Sequence, residues 1–152
     1  MEKGVKLMVV ACNTSSAVAI EALQEKYDTP VIGVIRPGAE AAVNATRNGK
    51  VAVIATEATI GSGSFTRALR DLRAYLEFYT RACPMFVPLG EEGWLDNEVA
   101  RAAADLYLGS LRRSGIDTLI LGCTHYPLLR DVVAETMGPA VTLIDSATAT
   151  AA

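Results

Sequence analysis

Short apolar runs alternate along this chain with segments of helical periodicity, a pattern that leaves few folds open. The apolar runs have the length of β-strands and occupy residues 6–11, 31–35, 50–55, 118–121 and 141–144. Helices are predicted between them over residues 15–26, 37–46, 65–75, 96–113 and 127–137, with Asp96 as a capping residue. Strands that alternate with helices build a mostly parallel sheet covered by helices, so the sequence predicts an α/β fold.

Residues 76–89 fit this alternation less well. Pro84 and Pro88 break any helix, whereas Phe78 and its apolar neighbours favour burial. A strand is therefore predicted over residues 78–81. Cys83 lies in the same apolar segment without a polar cluster around it, and we interpret it as a core residue.

Charge and hydropathy exclude several classes of protein. With 14 Lys and Arg against 17 Asp and Glu, and no basic block, the chain is not expected to bind nucleic acid. Its apolar runs are too short to span a bilayer, and the mixed charges at residues 2–6 are not those of a signal peptide, so no membrane partner is expected. Three scattered Cys suit reduced thiols in a cytoplasm better than a disulfide framework.

Two of the cysteines follow apolar strands in nearly the same way. The string VVACNT at residues 9–14 is echoed by ILGCTH at residues 120–125, each leading from a strand into a helix. Ligands of parallel α/β sheets lie at the carboxyl ends of strands, and a helix N-terminus lowers the pKa of a thiol, so Cys12 and Cys123 could be reactive thiolates. A small buried hydrophobe is the alternative for either one alone, but the polar neighbours of both favour a functional pair.

Three further groups are candidates because of where they follow the strands. His125 could act as a general acid or base beside Cys123. Glu91 could pair with His125 or could simply be solvated. Thr56 and Thr59 follow the strand at residues 50–55 and could face the same cleft, although turn capping is the simpler interpretation.

Other kinds of site find little support in the sequence. The string GSGSFT at residues 61–66 lacks the Lys of a phosphate-binding P-loop. The single His and the dispersed Cys do not have the spacing of metal ligands, so no metal is expected. No G-x-S-x-G string marks a serine nucleophile.

The strings ACNTSSA (residues 11–17) and LGCTHYPLL (residues 121–129) closely resemble the two cysteine motifs of the glutamate racemase family. ACPMFVPL at residues 82–89 and LIDSA at residues 143–147 also resemble that family. The resemblance implies two similar α/β domains, each a three-layer sandwich around a parallel sheet, with the substrate between them. It also implies cofactor-independent interconversion of L- and D-glutamate, which in the family supplies D-glutamate for peptidoglycan in the bacterial cytoplasm.

The resemblance assigns roles residue by residue. Cys12 and Cys123 would be the acid–base pair, one thiolate removing the α-proton while the other thiol delivers a proton to the opposite face. His125, with Glu91, would assist at Cys123. The expected substrate contacts are Asn13, Thr14, Thr56, Thr59 and Thr124.

Three alternatives to a glutamate racemase stay open at this point. An aspartate or other amino-acid racemase of the same superfamily would use the same two thiols. A non-catalytic fragment could retain a carboxylate pocket without turnover. A cysteine hydrolase built on Cys123 and His125 would have no use for Cys12.

The chain also departs from the family. It lacks the D-S-G-x-G-G loop and the P-Y-G segment, and Arg36 and Ala58 replace residues that are commoner there. We therefore expect a fragment without the N-terminal segment and the C-terminal end, in which residues 1–36 are part of a first domain, residues 37–140 form a second, and residues 141–152 return to the first. Such a chain is expected to have little or no racemase activity and to form a homo-oligomer through its exposed strand edge.

Overall fold

The computed structural model describes residues 4–152 and contains two parallel sheets. The first pairs strands β1 (Met8–Val10) and β2 (Val31–Gly33). The second contains β3 (Lys50–Ala55), β4 (Glu77–Ala82), β5 (Thr118–Gly122) and β6 (Thr142–Asp145) in the spatial order β4-β3-β5-β6. Every strand pair is parallel, so the predicted α/β fold is confirmed.

Eight α-helices connect and cover these strands in the part of the chain that the structure describes. They are α1 (Asn13–Lys26), α2 (Ile35–Ala45), α3 (Glu57–Gly61), α4 (Ser64–Leu72), α5 (Phe86–Glu91), α6 (Glu98–Arg113), α7 (Arg130–Met137) and α8 (Ser146–Ala151). A 3₁₀ turn at Tyr126–Leu129 precedes α7. Among residues 4–152, no helix has both the length and the apolar character needed to cross a bilayer.

The four-stranded sheet has an apolar core on each face, which makes this part of the molecule a three-layer sandwich. Val51 and Val53 of β3 point to one side, where they pack with residues of α2 and α4. Ala52 and Ile54 point to the other, where they pack with residues of α5, α6 and α7. All five residues of β5 are buried, which explains why the central strands read as continuous apolar runs.

A partly buried hydrogen-bond network fixes the amino-terminal edge of this sheet. The Asp117 carboxylate accepts hydrogen bonds from Thr46 Oγ1 (2.6 Å) and from the backbone N–H groups of Arg47 and Asn48 (2.8 Å each). Thr118 Oγ1 adds a fourth at 2.9 Å. Partial burial acts to raise the pKa of Asp117, but these donors outweigh it and hold the pKa below its ordinary value. The turn before β3 is thereby tied to the start of β5.

The strand predicted near residue 78 is confirmed as β4. The prediction that Pro84 and Pro88 exclude a helix after this strand is wrong. Helix α5 begins at Phe86, after Pro84, and contains Pro88 as its third residue. A proline is tolerated in a first helical turn because the N–H groups there have no partner inside the helix. The sequence therefore has a short helix where only a break was expected.

Three other helix boundaries differ from the prediction. Asn97, rather than Asp96, caps α6, its Oδ1 accepting the N–H of Ala100 at 2.9 Å. The helix expected from Pro127 opens as the 3₁₀ turn and becomes α-helical at Arg130. Residues 146–151, for which no helix was predicted, form α8, whose first turn is capped by Asp145 Oδ1 accepting from the N–H of Ala147 (2.9 Å).

Residues 141–152 were expected to return to the first domain, and their strand lies in the larger sheet. β6 pairs with β5, from Thr118 opposite Thr142 to Leu121 opposite Asp145. Leu143 packs against one core of the larger sheet and Ile144 against the other, so this strand extends both apolar faces at once. Pairing with the two-stranded sheet would forgo that burial.

Candidate active site

Cys12 lies where β1 ends and α1 begins, in the N-cap position of the helix. Its side chain is exposed. Partial burial acts to raise the pKa of the thiol, but hydrogen bonds from the backbone N–H groups and hydroxyls of Ser15 and Thr14 outweigh it and hold the pKa below its ordinary value. The first turn of α1 thus makes Cys12 the more acidic of the two strand-end thiols.

Cys123 follows β5 and is only 8% exposed. Burial raises the pKa of its thiol, and negative charge on Cys12 raises it further, against smaller opposing hydrogen bonds from His125, Thr124 and Tyr126. The two thiols therefore lie close enough for the charge on one to act on the other. A proton is held at Cys123 under conditions in which Cys12 gives one up.

Gly122 allows the end of β5 to pack closely against its neighbours. A Cβ atom at this position would lie 2.9 Å from the carbonyl oxygen of Ile54 and 3.0 Å from the Phe65 ring. Any side chain would push β5 away from β3 and displace Cys123, which is the next residue. The small residue that precedes the cysteine in the sequence motif therefore sets the position of the thiol.

His125 links Cys123 to a carboxylate. Its Nδ1 lies 3.8 Å from Cys123 Sγ, and its Nε2 lies 3.3 Å from Glu91 Oε1 at the end of α5. A carboxylate that accepts from Nε2 leaves Nδ1 free to exchange a proton with the thiol. Glu91 and His125, suggested in the sequence only as a possible pair, are in contact.

Three threonine hydroxyls meet beside α1. Thr14 Oγ1 lies 2.9 Å from both Thr56 Oγ1 and Thr59 Oγ1, and the latter two are 3.0 Å apart. The three hydroxyls are therefore mutually within hydrogen-bond distance and form a ring of side chains. This ring joins the helix for which Cys12 is the N-cap to the turn that follows β3. Thr56 also caps α3, accepting from the N–H of Thr59, as the simpler capping interpretation predicts.

The other two predicted residues have contrasting surroundings. Asn13 is 3% exposed, and its Oδ1 accepts a hydrogen bond from Ser146 Oγ at 3.2 Å. Thr124 is exposed, and its hydroxyl acts to lower the pKa of the Cys123 thiol. Apart from Glu91 on α5, the predicted site residues lie just after the carboxyl ends of β1, β3 and β5.

Sequence reasoning missed Ser15 and Ser146 as members of this site. Ser15 acts on the acidity of Cys12 through its N–H and hydroxyl, a role that the N-cap position of Cys12 could have indicated. Ser146 contacts Asn13 across 133 positions of sequence, which no local pattern could reveal.

The third cysteine has a structural place, as predicted. Cys83 is fully buried, and burial raises the pKa of its thiol to about 12. A thiol of that acidity stays protonated at neutral pH and is a poor nucleophile. Cys83 is therefore set apart from the reactive pair.

A cavity of about 600 Å³ lies elsewhere, between α1, α2 and α4. It is lined by both apolar and charged side chains, among them Ile20, Arg36 and Arg67, and by neither of the two strand-end thiols. This cavity and the convergent polar and thiol groups therefore occupy different places. We place the candidate site at the thiols, because the titratable groups converge there.

These features define a class of protein: an α/β fold with two thiols of unequal acidity at the carboxyl ends of parallel strands. The family model described as Asp/Glu/Hydantoin racemase matches residues 1–152. The chain belongs to this family.

Curated relatives resemble the chain over nearly its whole length. It is 56% identical over 151 residues to a glutamate racemase of Geobacter metallireducens, a match covering 99% of this chain and 56% of the relative. It is 51% identical over 145 residues to one of Sulfurihydrogenibium, with 95% and 55% covered. The chain therefore spans about half the length of the curated relatives it matches.

Solved structures give the same result. A glutamate racemase isoform from Bacillus anthracis superposes with a TM-score of 0.93 at 45% identity, covering 97% of this chain and 55% of that one. The glutamate racemase of Francisella tularensis, solved in complex with D-glutamate, superposes with a TM-score of 0.89 at 36% identity, covering 99% and 56%.

Proposed function

We propose that this chain carries the two-thiol centre of a glutamate racemase, which interconverts L- and D-glutamate without a cofactor. The observation that carries the proposal is the pair of interacting thiols with opposite shifts in pKa, Cys12 lowered and Cys123 raised. The relatives named glutamate racemase support the choice of substrate.

In each turnover one thiolate gains a proton and the other thiol loses one. The Cys12 thiolate removes the α-proton of glutamate and becomes a thiol, and the electron pair stays on the α-carbon as a planar carbanion. The Cys123 thiol then donates its proton to the opposite face and becomes a thiolate. The reverse reaction begins from the state in which Cys123 is deprotonated, so the same two groups serve both enantiomers.

His125 and Glu91 act on the Cys123 half of this cycle. At 3.8 Å from Sγ, His125 Nδ1 can share the proton that Cys123 must lose and regain. The Glu91 carboxylate at Nε2 holds the ring in the tautomer that this exchange needs. Both side chains are partly exposed, so Glu91 contributes orientation more than binding energy.

Hydroxyl and amide groups bind the substrate in this proposal. The hydroxyls of Thr14, Thr56 and Thr59 hydrogen-bond to one another, so a glutamate carboxylate binds by turning at least one of them outward. Asn13 and Thr124 flank the two thiols and supply further donors. Binding therefore exchanges hydroxyl–hydroxyl bonds for stronger bonds to a charged oxygen.

The proposal extends to the setting of the reaction. We propose that the product D-glutamate serves peptidoglycan synthesis. We also propose that the protein acts in the cytoplasm as a homo-oligomer and that its binding partner is a small molecule, glutamate. We also retain the division near residue 36 as a proposal, supported by the separation of the β1–β2 sheet from the larger one.

Turnover by this chain alone is expected to be slow. Cys12 is exposed, and the sheet that positions it has two strands in the described residues. An exposed thiolate keeps water around it, which weakens the electrostatic stabilisation of a carbanion. Exchange of the α-proton with solvent is a more sensitive test than racemisation, because it reports a single proton removal.

The test follows the α-proton of L- and D-glutamate by NMR in D₂O, with the chain and its Cys12→Ser, Cys123→Ser and Cys83→Ser variants. We expect exchange with the unmodified chain and with Cys83→Ser, the matched control. Each active-site variant should lose at least about a hundredfold in rate with the enantiomer whose proton faces the missing thiol.

Two outcomes count against the proposal. Exchange that persists after both thiols are removed would assign the chemistry to other groups. Binding of glutamate without exchange in any variant would mean a carboxylate-binding protein that does not catalyse proton transfer.

A further inference from the structure

Ser146, the first residue of α8, contacts both chain segments that carry the thiols. Its Oγ lies 3.2 Å from Asn13 Oδ1, next to Cys12, and 3.5 Å from the carbonyl oxygen of Leu121, two residues before Cys123. Both Ser146 and Asn13 are 3% exposed. One buried hydroxyl thus lies between the two halves of the candidate site.

The space around this hydroxyl is tightly closed. Gly38 of α2 approaches it so nearly that a Cβ atom there would lie 3.1 Å from Ser146 Oγ. A buried hydroxyl in such a place needs a hydrogen-bond partner, because an unpaired one would lose the hydrogen bonds that it makes with water in the unfolded chain. The shorter of its two contacts is the one to Asn13, so its single proton is directed to the Asn13 amide oxygen.

This bond fixes which way the Asn13 amide faces. With Oδ1 occupied by Ser146, the Nδ2 group points the other way. Within residues 4–152, Nδ2 donates to no protein acceptor, yet no fully buried side-chain nitrogen or oxygen lacks a partner. The Nδ2 group is therefore not completely enclosed by protein atoms, and its two protons are available to an acceptor that reaches it.

We propose that Ser146 is a positioning residue that orients the Asn13 amide, so that Nδ2 donates to a carboxylate bound between the thiols. The identity of that ligand rests on the proposed function, whereas the orientation of the amide does not. Helix α8 thereby takes part in ligand binding without touching the ligand.

The orientation is tested first, by ¹⁵N NMR of the Asn13 side-chain amide, assigned by its loss in Asn13→Ala. Ser146→Ala removes the hydroxyl, and Thr148→Val is the matched control on the same helix, where the exposed Thr148 hydroxyl bonds to Asp145 at 2.9 Å. We expect the amide to become more mobile in Ser146→Ala and to stay ordered in Thr148→Val. An Asn13 amide that remains equally ordered in Ser146→Ala would overturn the proposal.

Binding is tested second, by titrating D-glutamate into the same proteins. Loss of one oriented donor to a charged group should weaken the affinity about tenfold in Ser146→Ala. In the Asn13→Ala background, Ser146→Ala should have no further effect, because Ser146 acts through Asn13. An equal loss in both backgrounds would contradict that route.

The two proposals can fail separately. If the unmodified chain does not bind glutamate but Ser146→Ala frees the Asn13 amide, the proposed function is wrong and the positioning role stands. If glutamate binds equally well with and without the Ser146 hydroxyl, the positioning role is wrong and the proposed function stands.

Discussion

Cys12 follows a three-residue strand in a two-stranded sheet, whereas Cys123 follows a five-residue strand inside a four-stranded sheet. The first thiol is exposed and made more acidic by the helix turn that it caps. The second is buried, and burial makes it less acidic. Two nearly identical strings of sequence therefore produce opposite acid–base properties, because what surrounds each strand differs. The proposed racemase mechanism needs one thiolate and one thiol, and this difference in acidity would supply both.

The largest expected effect concerns the stability of the two sheets. Leu119 in β5 is fully buried, so Leu119→Ala should lower the free energy of unfolding by roughly 2–5 kcal/mol. Val9 in β1 is 49% exposed, and Val9→Ala should cost under about 1 kcal/mol. Urea unfolding followed by circular dichroism measures both. Equal losses of unfolding free energy in the two variants would contradict the prediction that the larger sheet contributes more to stability than the two-stranded sheet.

The second prediction compares the reactivity of the thiols. At neutral pH, iodoacetamide should modify Cys12 at least about tenfold faster than Cys123, because Cys12 is exposed and has the lower pKa. Cys83 should react only when the protein unfolds, which provides an internal check. Mass spectrometry of digested samples gives all three rates. Faster labelling of Cys123 would reverse the assignment of the acidic thiol.

A smaller effect is expected at the opposite edge of the larger sheet. Asp117→Asn should destabilise the protein by about 1–2 kcal/mol at neutral pH, because its charged hydrogen bonds weaken. The folded-state pKa of Asp117 is lowered, so this stabilisation is complete above the ordinary pKa of 3.8 and disappears as the pH falls below it.

The pH dependence is the check on this prediction. The difference in stability between Asp117→Asn and the unmodified chain should shrink as the pH falls below 3.8. A difference that stays constant over that range would show that the carboxylate charge is not what holds the turn. Labelling of Cys12 should be unaffected by this substitution, since Asp117 lies at the far end of the strands.

Much of the larger sheet could be predicted because strands that are buried on both faces consist of continuous apolar residues. Residues 50–55 and 118–121 are such runs, and they are the two central strands, buried on both faces. The edge strand β6 was also recognised, but its partner was not. A short run such as Leu143-Ile144 specifies a strand, whereas pairing depends on which apolar faces it completes.

Some residues of the candidate site could likewise be predicted from the sequence, and others could not. Cys123 and His125 follow β5 of the larger sheet and Cys12 follows β1 of the two-stranded sheet, so the sequence could place each of them at the carboxyl end of a parallel strand. Helix α5, which carries Glu91, was hidden by Pro84 and Pro88. Ser146 was hidden by distance along the chain, because a hydrogen bond to a residue 133 positions away leaves no periodic signal.

The measurement that bears most directly on the paired thiols is the pH profile of Cys123 alkylation in Cys12→Ser. Charge on Cys12 raises the pKa of Cys123, so removing that thiol should move the midpoint for Cys123 to lower pH. Cys83→Ser, which removes a buried thiol that does not act on Cys123, should leave the midpoint in place. A midpoint that is the same with and without the Cys12 thiol would show that the two groups do not share one cleft.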